Sequence, residues 1–120
     1  MIEHVKFVTI PVTDQERAID FYREKLGFEV TTDAPFGGGL RWIEVRPPGA
    51  TTRLVLFPPS DDFPIATPSI VFASDDVSKT HEELSARGVH FTKEPYENPS
   101  GQFAHFKDPD GNEFLIASRE

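Results

Sequence analysis

Phe106-Lys107-Asp108-Pro109-Asp110-Gly111-Asn112-Glu113-Phe114-Leu115-Ile116, close to the C-terminus, is the stretch on which the fold turns. Pro109 presets φ, Gly111 accepts positive φ, and the Asp and Asn side chains bond back onto nearby backbone, so residues 108–112 read as a hairpin turn. The flanks, 103–107 and 113–117, are short and rich in Phe and Ile and read as strands. Strand alternation puts Phe114 and Ile116 on one face and Glu113, Leu115 and Ala117 on the other. With the first face under a helix, Leu115 looks to the open side.

Upstream, residues 5–12 (Val-Lys-Phe-Val-Thr-Ile-Pro-Val) predict a strand with Val8, Ile10 and Val12 on one face and Phe7, Thr9 and Pro11 on the other. Pro11 lacks a ladder donor and marks an edge or a bulge. Thr13-Asp14-Gln15-Glu16 matches a capping box, Thr13 as the cap with Glu16 reaching back. The helix it opens buries Ala18, Ile19, Tyr22 and Leu26 and ends at Gly27. A second strand begins over 28–31, residues 35–39 (Pro-Phe-Gly-Gly-Gly) read as a flexible loop, and 40–46 alternate as a third strand. Pro47-Pro48-Gly49 turns the chain into a fourth strand over 53–57. Residues 58–68, with four prolines and two aspartates among them, read as a linker.

The second half repeats this order. Residues 69–73 predict a strand, Ser74-Asp75-Asp76 a helix start, Val77, His81 and Leu84 a helical face, and Gly88 its end. Asp14 to Gly27 and Asp75 to Gly88 each span 13 positions, and each glycine precedes an apolar residue that begins a strand, Phe28 or Val89. Two βαβββ modules follow, about residues 1–60 and 68–120 of a single domain. The fold class is α+β: paired, curved mixed sheets with helices on the convex side, and the free faces curled into a trough where a ligand would sit.

Composition narrows the partners. With 12 Lys and Arg against 20 Asp and Glu, the net charge is −8, and no basic run serves nucleic acid or an anionic membrane. Eleven Phe in 120 residues supply a packed core. The absence of cysteine removes disulfides, thiolate metal sites and Cys nucleophiles. No apolar stretch is long enough to span a bilayer, and the first residues lack signal-peptide character, so the expected address is cytoplasmic.

The pattern resembles the vicinal oxygen chelate superfamily of glyoxalases, bleomycin-resistance proteins, fosfomycin-resistance enzymes and extradiol dioxygenases. The resemblance is carried by Val12-Thr13-Asp14, by residues 18–28 (Ala-Ile-Asp-Phe-Tyr-Arg-Glu-Lys-Leu-Gly-Phe), by Asp75-Asp76 with Leu84 and Gly88, and by residues 106–112. It implies paired βαβββ modules and a homodimer. Metal-dependent members hold a divalent ion with His, Gln or Glu at positions that fall here on Phe7, Val55, Ser69 and Leu115. Three are hydrocarbon and one is a neutral hydroxyl, a poor set for a hard cation. His4, His81, His90 and His105 show neither His-x-His nor His-x-x-x-His spacing. No metal and no cofactor is therefore expected.

Strand parity sends Trp42 and Glu44 toward the trough, with His105 at the place where fosfomycin-resistance enzymes carry a ligand-contacting Tyr. Arg53 shares parity with Val55 and offers an anion clamp or a solvated charge, and Glu113 could pair with Arg53 or His105. Asp108, Asp110 and Asn112 are accounted for by turn chemistry. The leading expectation is a metal-independent small-molecule binder, its ligand surface drawn from Phe7, Thr9, Trp42, Arg53, Val55, Phe57, Ser69, Phe103, His105 and Leu115. The alternative is an isomerase, lyase or dioxygenase of the same superfamily with relocated residues, its acid–base candidates being His105, Glu44 and Glu113. A module closed by its own side chains and serving protein interaction is a third possibility.

Overall fold

The computed structural model describes residues 1–59 and 68–119; most of the predicted linker lies outside them. The chain divides into two compact units, Met1–Pro68 and Ser69–Glu120. The first contains β1 (Phe7–Pro11), α1 (Gln15–Asp20) continuing into a π-helical turn (Phe21–Lys25), β2 (Glu29–Gly37), β3 (Leu40–Arg46) and β4 (Arg53–Phe57). The second contains β5 (Val71–Ser74), α2 (Val77–Ala86), β6 (His90–Asn98), β7 (Gly101–Lys107) and β8 (Glu113–Ser118). Each unit is thus β-α-β-β-β and the class is α+β, as the repeat implied. The sheets are mixed, ordered β1-β4-β3-β2 and β5-β8-β7-β6, with the first strand of each unit parallel to the last and all other pairs antiparallel.

Alternation sets which residues of β1, β3, β4, β7 and β8 lie on the helix side. In the first unit Ile10, Ile43, Val45, Leu54 and Leu56 are buried with Ala18, Ile19, Phe21 and Tyr22 of the helical segment. In the second, Ala104, Phe106, Phe114 and Ile116 are buried with Val77 and Leu84 of α2. Full burial of such a side chain is worth about 1.5–3 kcal/mol, so one helix on one face suffices to commit each sheet. Pro11 sits on β1, an edge strand, where its missing N–H breaks no central ladder.

Four local expectations are corrected. The first strand is shorter, Phe7–Pro11. The cap of α1 is Asp14, extended at φ −128° and ψ 104°, whose carboxylate accepts from the Arg17 amide; Thr13 takes the Arg17 guanidinium at 3.4 Å, and Glu16 pairs with Arg41 rather than reaching back. A charged oxygen at the extended position is the better acceptor. The loop predicted over 35–39 is strand up to Gly37 and then a two-residue turn, Gly38 and Gly39, with φ of +61° and +79°. Two consecutive positive φ values make the hairpin turn whose twist matches the strands. Last, β5 begins at Val71, which leaves Ser69 exposed and outside the ladder.

Capping also resets the repeat. The second helix is capped by Asp76, which accepts from the Lys79 amide, so cap to glycine is 12 positions there and 13 in the first unit. The surplus residue is absorbed in the π turn, where the Leu26 amide donates to Phe21 O, five residues back. That widened turn buries Phe21 beside Tyr22, at 5% and 0% exposure, while Leu26 is only half-buried. Gly27 and Gly88, at φ +76° and +90°, end the helices in the left-handed region as expected.

The turn from β7 to β8 is held by one buried carboxylate. Asp108 Oδ1 accepts from the amides of Asp110 and Asn112, both at 2.9 Å, and Oδ2 accepts from Asn112 Nδ2 at 2.8 Å. Asp108 and Asn112 are 6% and 4% exposed. Replacing Asp108 by Ala would leave buried donors unpaired. The expected loss is about 2–3 kcal/mol of unfolding free energy, read as a lower urea midpoint at unchanged slope, and a wild-type midpoint would refute this account of the turn.

Candidate functional site

The strand faces turned away from the helices hold the candidate residues. In the first unit, β3 presents Trp42 and Glu44, β4 presents Arg53, Val55 and Phe57, and β1 presents Phe7 and Thr9. Phe7 meets Trp42 edge-on with ring centroids 5.6 Å apart, and Trp42 lies 5.5 Å from Phe57. Phe36, which the loop expectation had set aside, comes over this pair from β2. Its ring stacks on Trp42 at 5.7 Å and 23° and meets Phe57 edge-on at 4.9 Å, yet it remains 57% exposed. The Gly-Gly dipeptide two residues downstream was the signal: read as a two-residue hairpin, it makes Phe36 a strand residue of defined facing.

A polar pair borders the aromatics. Trp42 Nε1 donates to Glu44 Oε2 at 2.9 Å, and Glu44 Oε1 faces Arg53 Nε at 3.6 Å. Arg53 Nε is buried and makes no hydrogen bond among the described residues. Glu44 therefore fixes the indole and partly neutralises the guanidinium, leaving Arg53 able to strengthen a bond to an incoming acceptor.

Below the aromatics the sheet is splinted by a helix residue. The β3–β4 ladder pairs only Glu44 with Val55 and Val45 with Leu54. Beyond it, Gln15 Nε2 donates to the carbonyls of Arg41 and Leu56 at 2.7 and 2.9 Å, and the Arg41 amide donates to Gln15 Oε1 at 3.0 Å. The side-chain amide stands in for missing ladder bonds at the end of the strands that carries Trp42 and Phe57. Arg41 is tied further to Asp33 through two bonds, at 3.0 and 2.7 Å, which hold the Asp33 carboxyl below its ordinary range.

In the second unit the open face carries Phe103 and His105 on β7 and Glu113 and Leu115 on β8. His105 Nδ1 lies 3.2 Å from Glu113 Oε2, and His105 Nε2 lies 2.7 Å from the Tyr96 hydroxyl of β6. Of the two partners open to Glu113 in the sequence, the structure chooses His105. Thr92 donates to the same Glu113 oxygen at 2.9 Å. Tyr96 stacks on Phe103 at 5.9 Å and 24°, and Lys93 Nζ stands 4.7 Å from the Tyr96 ring centre. Tyr96 and Thr92 were not singled out in the sequence, because the shifted register within β6 hides their facing.

The last strands of the two units match in register at their centres. Val55 pairs with Thr9 and Glu44; Leu115 pairs with Val71 and His105. His105 thus occupies in its sheet the place Glu44 occupies in the other. Of the remaining histidines, His81 meets Phe91 edge-on at 4.5 Å, while His4 and His90 are exposed.

The residues at the positions where the resemblance would place metal ligands do not fit a divalent ion. Phe7 is committed to the indole, Val55 is buried hydrocarbon, Leu115 sits between Val71 and His105 in the ladder, and Ser69 is an exposed hydroxyl. No cluster of three His, Cys, Asp or Glu suited to a metal occurs among the described residues.

The Thr92 and His105 bonds hold the Glu113 carboxyl below its ordinary range, the Thr92 bond contributing most. With the folded value lowered, ionised Glu113 favours the fold above the unfolded carboxyl pKa, and that contribution fades as pH falls through the folded value. Thr92→Val is expected to raise the Glu113 pKa toward the ordinary carboxylate range, read by carboxyl-carbon NMR titration; an unmoved titration would show the hydroxyl to be a bystander.

The match to known proteins extends over nearly the whole chain. The family model described as "Glyoxalase/Bleomycin resistance protein/Dioxygenase superfamily" matches residues 2–116. The uncharacterized protein YetH of Bacillus subtilis (strain 168) is 41% identical over 118 residues, covering 97% of this chain and 98% of the relative. Among solved structures, TnmS3, an antibiotic binding protein from Streptomyces sp. CB03234, is 38% identical with a TM-score of 0.88, covering 99% of this chain and 98% of its own. A superfamily member from Sphaerobacter thermophilus DSM 20745 is also 38% identical, with a TM-score of 0.86 and 98% coverage of both chains. No helix of the described residues is long and apolar enough to cross a membrane. A βαβββ repeat with a capped, glycine-ended helix in each half, matched over this span, makes the chain a member of the glyoxalase/bleomycin resistance protein/dioxygenase superfamily.

Proposed function

We propose that this protein is a metal-independent binder of small aromatic or amphipathic molecules, which it sequesters or carries. The observation that carries the reading is the exposed Phe36 ring, stacked on Trp42 and against Phe57 on the open face of the first unit. An aromatic ring left more than half exposed loses hydrophobic stabilisation that a flat ligand would restore, and each well-placed aromatic pair adds about 0.5–1.5 kcal/mol beyond burial. Arg53 and Glu44 give the ligand one polar handle of each sign. The antibiotic-binding neighbour of similar sequence, TnmS3, supports the same class of partner.

The reading includes a homodimer working in the cytoplasm. Its partners are small molecules rather than nucleic acid or membrane, in keeping with a net charge of −8. An acid–base enzyme of the same superfamily is the second reading, and the Tyr96–His105–Glu113 chain is the observation that favours it.

Trp42 is the sole tryptophan, so its emission reports the surface directly. Titration with acridine, flavone and 1-anilinonaphthalene-8-sulfonate is expected to quench or shift it in a saturable way for at least one compound. Phe36→Ala should then weaken that binding about tenfold, equivalent to about 1.4 kcal/mol. Emission indifferent to all three compounds, or affinity untouched by loss of Phe36, would remove the aromatic surface as the binding element.

A further inference from the structure

We propose that Tyr96, His105 and Glu113 form an acid–base triad on the open face of the second unit, with the Tyr96 phenol oxygen as an acyl-accepting nucleophile and small esters as its substrate class. Hydrogen positions follow from what each group can do. Glu113 Oε2 already accepts from Thr92, and a carboxylate has no proton to give, so the 3.2 Å contact is donated by His105 Nδ1–H. A neutral ring protonated at Nδ1 has its lone pair at Nε2, so the 2.7 Å contact is donated by the Tyr96 hydroxyl. A weak nucleophile is thereby bonded to a base, and the base is oriented by a carboxylate that is itself pinned. That order defines an activated nucleophile.

The surroundings act in the same sense. Lys93, opposite His105 in the ladder, holds its ammonium 4.7 Å from the Tyr96 ring centre, where positive charge favours a developing phenolate. Phe103 acts only sterically: its ring, stacked 5.9 Å from that of Tyr96, gives an acyl chain an apolar wall. The charged and titratable groups around the imidazole are Tyr96 and Lys93 from β6, Glu113 from β8, and Lys107 on its own strand. Glu113 stays ionised into mild acid because Thr92 and His105 hold its pKa low.

The chemistry balances without a redox partner. Tyr96 Oη attacks the acyl carbon, its proton passes to His105 Nε2, and the bond to the leaving alcohol breaks as that proton is returned to it. Water then attacks the tyrosyl ester, with His105 again the base, releasing the acid and restoring the phenol. Glu113 is a positioning residue: it sets the tautomer and stabilises the imidazolium while staying ionised.

p-Nitrophenyl acetate is the probe. The native protein is expected to release p-nitrophenolate at least 100-fold faster than N-acetyltyrosinamide at equal concentration, with mass spectrometry locating the acetyl group on Tyr96. His105→Gln, which can still hydrogen-bond the phenol but cannot take its proton, should lose about 100-fold; Tyr96→Phe should lose the label altogether. Glu113→Gln should lower kcat with KM little changed, and Glu113→Asp should restore part of the loss, a pattern a merely structural role would not produce. Acetylation of Tyr96 at the rate of free tyrosine, or a rate unchanged in His105→Gln, would overturn the proposal. Neither outcome touches the Trp42 emission test, so the two readings stand or fall apart.

Discussion

A strand has two faces and each unit has one helical segment to cover them. Most of what distinguishes this protein follows from that constraint. Ile43, Val45, Leu54 and Leu56 in one sheet, and Ala104, Phe106, Phe114 and Ile116 in the other, saturate the helix-side demand for apolar burial. The alternate residues are then freed from core packing. Those released positions hold Phe7, Trp42, Glu44, Arg53, His105, Glu113 and Leu115, all on β1, β3, β4, β7 or β8, and a change in any of them leaves the helix-side set in place. Stability and chemistry are written on opposite sides of the same backbone.

How far this could be seen in the sequence depends on the range of the interaction that decides each feature. The hairpin at 108–112, the glycine ends of both helices and the facing of Trp42, Glu44, His105 and Leu115 were legible because they rest on local backbone chemistry and period-two alternation. Phe36 was misplaced because three glycines in a row suggested looseness. The two with φ of +61° and +79° make a turn that extends the strand instead. Tyr96 and Thr92 escaped because β6 shifts register twice against β7, and a bulge cancels the parity rule from which facing is read. Gln15 escaped for another reason. Its contacts reach 26 and 41 residues along the chain, and nothing in a helix's first turn announces that a side chain will replace ladder bonds of two distant strands.

The first helical segment shows how a repeat tolerates an insertion. Its cap-to-glycine span exceeds that of the second by one residue, and an unbroken α-helix would rotate every later side chain by about 100°. The π turn confines the extra residue to one wide loop of backbone, so Ala18 and Ile19 before it and Tyr22 within it still face the sheet, and Phe21 joins them in burial. Two glycine-ended helices can then deliver the next strand in the same way in both halves despite unequal length.

Matching registers with unlike contents give the two open faces their different chemistry. A cation at such a site would draw carboxylates and imidazoles toward itself. With Phe7, Val55 and Leu115 supplying hydrocarbon, the polar groups that remain pair with one another. Glu44 takes the indole N–H and faces Arg53, while His105 is bonded at both nitrogens. An imidazole engaged on both sides has no lone pair to offer a metal unless it gives up Tyr96 or Glu113. The same two bonds make it a well-oriented base. The donor set that disqualifies these faces for a hard cation is therefore the one that leaves an aromatic surface in one unit and a pinned proton acceptor in the other.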